Sequence, residues 1–239
     1  GVETQPEWKP YAFGDDLARI DSVRSLANAL KRTQGELELA EEDLEVFETE
    51  HQTACATVVA IDISHSMILY GEDRITPAKT VALALTELIT TRYPKDHLSV
   101  ITFGDRAERI SIRDLPYLEA GPFHTNTREA LALARGLLAR QKQPNKQIIL
   151  ITDGKPSAMT LPDGRVYVNS GGLDPSILKA TYAEVSACRR SNIMINTFML
   201  ARDHYLVEFV KQVSRICRGK AYFASPMTLG QFLLMDFLK

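Results

Sequence analysis

Cysteine is scarce in this chain. Cys55, Cys188 and Cys217 are its whole supply among 239 residues, an odd number with no close C-x-x-C spacing. That argues against a disulfide framework and for reduced thiols in a cytoplasmic protein. Cys188 and Cys217 fall beside apolar helix positions and read as small buried hydrophobes. An excess of either charge is missing too: the formal net charge is −2, which argues against nucleic acid as a partner, since phosphate binding needs clustered Lys and Arg. The pairs Lys31-Arg32 and Arg189-Arg190 are isolated on helical patterns and read as solvated faces. No apolar run approaches the length of a membrane span, and no early stretch resembles a signal peptide. The phosphate-cradling pattern G-x-x-x-x-G-K-[ST] does not occur, which speaks against ATP hydrolysis. The chain opens on Gly1 rather than Met, as expected of a piece of a longer protein.

What is present suits an ordinary globular chain, with 45% hydrophobic and 24% charged residues. Residues 1–15 contain Pro6, Pro10 and Gly14 without periodicity and read as an extended lead-in. From Ser22, the spacing of Val23, Leu26, Ala27 and Leu30 is helical, and Gly35 stops the run. Leu37 and Leu39, then Leu44 and Val46, alternate with acidic residues as half-buried strands do, with Glu41-Glu42-Asp43 as the turn. Residues 1–53 are therefore expected to form a helix plus a β-hairpin packed on a main domain spanning 54–239.

From Thr57 onward, strand patterns alternate with helical ones, which predicts an α/β fold with a doubly wound, mainly parallel six-stranded sheet and helices on both faces. The expected strands are 57–62, 98–103, 147–152, 193–199 and 220–224, with 107–112 as an antiparallel edge strand after the turn Gly104-Asp105-Arg106. Helices are expected from Thr76-Pro77, from Asn126 or Thr127, and near 175–190, 204–217 and 228–238. Asp203 is the expected cap of the helix near 204–217, and Pro226 the turn before the last.

Three short segments carry the chemistry. Asp62-Ile63-Ser64-His65-Ser66 follows the apolar run Val58-Val59-Ala60-Ile61, His124-Thr125-Asn126-Thr127 precedes a helix, and Ile151-Thr152-Asp153-Gly154 ends another strand. Open α/β sheets bind ligands beyond the carboxyl ends of their strands. Topology alone therefore brings two carboxylates and several hydroxyls to one crevice. In this order the segments resemble the metal-ion-dependent adhesion site of von Willebrand factor A domains, over roughly residues 55–239. The resemblance implies a metal set of Asp62, Ser64, Ser66, Thr125 and Asp153, with Mg²⁺ as the ion and Mn²⁺ as a substitute. It also implies a protein partner that completes the ion's shell with an Asp or Glu. His65 stands where many relatives have Gly and bears on the rim. Thr127 reads as helix or loop support, and His51, His97, His124 and His204 form no cluster suited to Zn²⁺.

The stretches around Asp43–Glu50 and Thr152–Ser157 further resemble bacterial cytoplasmic A-domain proteins. For these the implied role is an adaptor or regulator of a MoxR-type AAA+ ATPase. The excursion over 155–174, with a turn at Asp163-Gly164, is expected to be a hairpin at the rim that selects partners. Two other functions compete. A Mg²⁺-dependent phosphatase of the haloacid-dehalogenase kind needs a carboxylate where Ser64 stands, and a secreted adhesion domain fits the cysteine usage poorly.

Overall fold

A computed structural model describes residues 7–12, 15, 20–34, 38–48, 54–71, 73–169, 171, 173–201 and 204–223. The chain divides into two compact units, Gly1–Gln52 and Thr53–Lys239.

In the smaller unit, β1 (Glu7–Pro10) pairs antiparallel with β2 (Glu45–Glu48), and α1 (Ser22–Arg32) lies between them in sequence. Asp21 caps α1, its carboxylate accepting from the Val23 and Arg24 amides and from Trp8 Nε1. The pairing corrects the sequence reading. The partner of β2 is the lead-in strand, not the segment around Leu37 and Leu39, and residues 38–40 form no strand. The reason is Asp43, which accepts from the Ala40 amide and receives the two-pronged guanidinium of Arg32. Those bonds wind 41–43 into a 3-10 turn and leave Leu39 exposed.

The larger unit is the expected α/β layer structure. Its strands are β3 (Cys55–Asp62), β4 (His97–Phe103), β5 (Ala107–Ile110), β6 (Asn145–Thr152), β9 (Ile193–Met199) and β10 (Ala221–Phe223). They lie in the order β10-β9-β6-β3-β4-β5, parallel throughout except for β5 at the edge. The helices are α2 (Ile75–Arg92), α3 (Thr127–Ala139), α4 (Pro175–Arg190) and α5 (His204–Cys217). β5 stops at Ile110, and 112–117 form a 3-10 turn capped by Ser111. The helix expected at 228–238, the Asp203 cap and the Pro226 turn lie outside the described residues.

β3 is central and buried on both faces, hence its nearly unbroken apolar run. Val58 and Ala60 join the core formed with α3, α4 and α5, whereas Val59 and Ile61 join the one beneath α2. Each fully buried Val or Ile of this strand contributes about 2 kcal/mol. The chain leaves β3 through α2 toward β4, and reaches β6 on the other side through α3. Connections therefore diverge between the carboxyl ends of β3 and β6, which opens a crevice there. Among the described residues, no helix is long and apolar enough to cross a membrane.

Candidate functional site

Asp62 is the last residue of β3, where the apolar run ends, and it is fully buried. One carboxylate oxygen accepts from the Ser64 amide at 2.9 Å, a tight turn that folds the loop back over the strand end. The other accepts from Thr152 Oγ1, the last residue of β6, at 2.5 Å. The loop is held from its far side as well: Ile63 N donates to Phe103 O, His65 N to Phe123 O and Gly121 N to Ile63 O. From His65 the chain runs as a 3-10 turn to Gly71 and then enters α2.

All five residues singled out from the sequence meet at this crevice. Thr125 Oγ1 donates to Ser64 Oγ at 3.1 Å, and Ser64 Oγ lies 3.1 Å from Ser66 Oγ. Ser66 Oγ donates to Asp153 Oδ1 at 2.6 Å. Ser64, Thr125 and Asp153 are buried like Asp62, while Ser66 is half-buried at the mouth. Burial, and then the charge of Asp153, push the Asp62 carboxyl up to about 7. A divalent cation beside these two acids would relieve that penalty.

Space for it depends on Gly154. A Cβ at that position would stand 2.9 Å from Thr125 Oγ1, 3.2 Å from Ser66 Oγ and 3.8 Å from Asp62 Oδ2. The missing side chain therefore opens onto oxygens from the other two segments. Hard oxygen donors, two of them anionic, suit Mg²⁺ better than soft or nitrogen-seeking ions. The donor set fits the ion implied by the sequence.

Other sequence expectations sort by location. His65 is exposed on the rim. Thr127 opens α3, but the cap is Asn126, whose side chain accepts from the Glu129 amide. His124 is turned aside to Asp105, its Nδ1 lying 3.0 Å from Oδ1. The rim excursion is a hairpin of β7 (Ala158–Thr160) and β8 (Val166–Val168), and Gly164 supplies the turn at φ +84°. Lys155 leaves the site toward Tyr205 at the start of α5, its ammonium 5.2 Å from the ring centre.

Three contributors escaped the sequence reading. Thr152 fixes Asp62, Ser157 fixes Thr125, and Arg74 Nη1 donates to Asp153 Oδ2 at 2.6 Å. The hydroxyls sat within segments already quoted, Thr152 as the end of a strand, without a role of their own. Arg74 gave no signal beyond standing before a helix.

Comparison with known proteins agrees with this architecture. Residues 55–238 match the family model described as "Rv0959-like protein, vWA domain", and residues 3–49 match "Rv0959-like protein, third domain". The uncharacterized protein Rv0959 of Mycobacterium tuberculosis (strain ATCC 25618 / H37Rv) is 31% identical over 240 residues, covering 97% of this chain and 35% of its own length. The chain thus spans about a third of the curated relatives it matches. Among solved structures, the vWF domain of the type V pili tip protein Mfa5 from Porphyromonas gingivalis superposes with a TM-score of 0.64 at 13% identity, over 78% of this chain and 95% of that one. The PilB minor pilin from Streptococcus sanguinis gives 0.64 at 14%, over 84% and 65%. The SpRpn10 VWA domain gives 0.54 at 14%, over 72% and 89%.

Proposed function

Because the chain belongs to the Rv0959-like family, with residues 55–238 as its vWA domain, we propose that it is a metal-dependent protein-interaction module. Such domains generally mediate protein interactions. The ligands are Asp62, Ser64, Ser66, Thr125 and Asp153, and the ion is Mg²⁺, replaceable by Mn²⁺. The observation that carries this reading is the convergence of three hydroxyls and two carboxylates at one crevice, with oxygens of Thr125, Ser66 and Asp62 bordering the space left by Gly154.

The bound ion supplies an electrophilic position that an Asp or Glu of the partner completes. The chain's own residues do the positioning. Thr152 and the Ser64 amide hold Asp62, Ser66 orients Asp153, and the His65 and Ile63 amides anchor the loop. The site's two carboxylates offset the charge of a divalent ion, and five side-chain oxygens would leave an octahedral shell with a position for a further oxygen donor.

The partner we favour is a MoxR-type AAA+ ATPase or its client, in the cytoplasm. The sequence resemblance supports the partner. Three free thiols, two of them buried, suit the compartment.

Calorimetry with Mg²⁺ tests the assignment. Asp62→Asn and Asp153→Asn should each abolish binding while thermal unfolding stays cooperative, and unchanged Mg²⁺ affinity in both variants would reject these ligands. Asn is the better probe at position 62. Alanine leaves the Ser64 amide buried without an acceptor, at about 1–3 kcal/mol, and leaves the Thr152 hydroxyl only its longer bond to the Gly154 carbonyl. A capture experiment comparing Mg²⁺ with EDTA then tests the partner: an ATPase of this class retained only with Mg²⁺ is the expected result.

A further inference from the structure

The crevice already contains a cation belonging to the protein. Arg74 Nη1 donates to Asp153 Oδ2 at 2.6 Å, with side-chain exposures of 13% and 0% for the two residues. Asp153 Oδ1 is taken by Ser66. Both oxygens of this carboxylate are therefore engaged, as are both of Asp62 by Ser64 and Thr152. Arg74 does not reach in from a loose surface position. Its amide donates to the carbonyl of buried Met67, and its carbonyl accepts from Ala78 in the first turn of α2. The same short segment thus carries Ser66 at one end and Arg74 at the other.

We propose that Arg74 is the residue that sets the cation affinity of this site, as a built-in counter-charge to Asp153. The inference rests on the reading of the five residues as a metal site. Without a metal, two buried carboxylates share the crevice, and the guanidinium neutralises the charge of Asp153. When a divalent ion enters, the same guanidinium opposes it, so Arg74 gives up Asp153 or shares it. Arginine keeps its charge at every working pH, so Arg74 itself leaves Asp153 without losing a proton. Because the Arg74 backbone opens α2, the exchange also couples occupancy of the site to the start of that helix and to the 65–71 turn.

A merely structural ion pair and a counter-charge make opposite predictions. If Arg74 only orders Asp153, removing it weakens Mg²⁺ binding. If it competes with the ion, removing it strengthens binding. Calorimetry on the full chain should give Arg74→Gln a Mg²⁺ affinity roughly tenfold or more above the parent, because one adjacent positive charge is lost. Arg74→Lys, which keeps the charge, should stay near the parent. In EDTA, Arg74→Gln should melt lower than the parent, and its gain on adding Mg²⁺ should be larger.

Equal or weaker Mg²⁺ affinity in Arg74→Gln overturns the proposal. Should that variant not fold without metal, the ¹⁵Nε resonance of Arg74 in the unmodified protein decides, assigned by its loss in Arg74→Lys. It is expected to move with the same midpoint as Mg²⁺ binding, and a resonance unmoved at saturation refutes the exchange. Absence of Mg²⁺ binding in the parent and every variant is a separate result. It rejects the metal site itself, and this inference with it.

Discussion

Thr125 and Ser157 clasp each other across the crevice. Thr125 N donates to Ser157 Oγ, and the Ser157 amide donates back to Thr125 O, both at 3.0 Å. The Ala158 amide, at the start of β7, also points at Thr125 O. A proposed metal ligand on one loop is thereby held by the base of the rim hairpin. Ser157→Ala removes the acceptor for the Thr125 amide and leaves the reciprocal bond. The expected cost is about 1 kcal/mol in denaturant unfolding, with Mg²⁺ affinity several-fold weaker as Thr125 loosens. Removing the hairpin tip at 161–165 spares the clasp and should leave Mg²⁺ affinity unchanged. If Ser157→Ala and the tip deletion behave alike in calorimetry, the clasp does not position the ligand.

Gly154 supports a second prediction. The oxygens of Thr125 and Ser66 lie where its Cβ would project, and its φ is not positive, so an alanine can adopt its backbone conformation. Gly154→Ala should therefore fold, with a cost of at most about 1–3 kcal/mol from crowding. Its Mg²⁺ affinity should fall by at least about tenfold, because the added methyl pushes hydroxyls apart at the mouth of the site. Calorimetry beside thermal melting separates the two effects. Mg²⁺ affinity equal to the parent's would show that the space above Gly154 is not where the ion sits.

Much of this was written in local pattern. β3 and β6 are buried on both faces, so their apolar runs announced them, and the polar residue ending each run marked the crevice. The helices at 175–190 and 204–217 matched because each carries a plain apolar stripe between short connections. What stayed hidden depends on distant partners. The pairing of β1 with β2 sets Pro10 opposite Glu45 and Glu7 opposite Glu48, partners far apart in the chain, and no local alternation distinguishes it from a hairpin. Arg74 meets Asp153 across 79 positions, and a lone arginine before a helix looks like any solvated one. Thr152 and Ser157 stood within segments quoted for the site, but only the tertiary fold shows which backbone or carboxylate each one holds.

Asp174 ties the far side of the rim hairpin to α4, and its titration should be measurable. Its carboxylate caps the helix through the Ser176 amide at 2.7 Å and accepts from Tyr167 Oη and Asn169 Nδ2, both at 3.0 Å. Hydrogen bonds from Ser176 first, then from Asn169 and Tyr167, hold its carboxyl far below the usual range. The sign follows from proton uptake. Below the unfolded-state pKa of about 3.9, the unfolded chain binds a proton that the folded chain refuses, so acid favours unfolding. The stabilisation is complete above that pH and disappears as pH falls toward the folded-state pKa. Asp174→Asn should lower the melting temperature at neutral pH, and the gap to the parent should close in acid. Other capped or paired carboxylates, such as Asp21 and Asp73, titrate in the same direction. The difference between the two proteins isolates Asp174 from them. A gap of constant size from neutral pH down to about pH 3 would mean that the charge of Asp174 contributes nothing, and that the cap acts through shape alone.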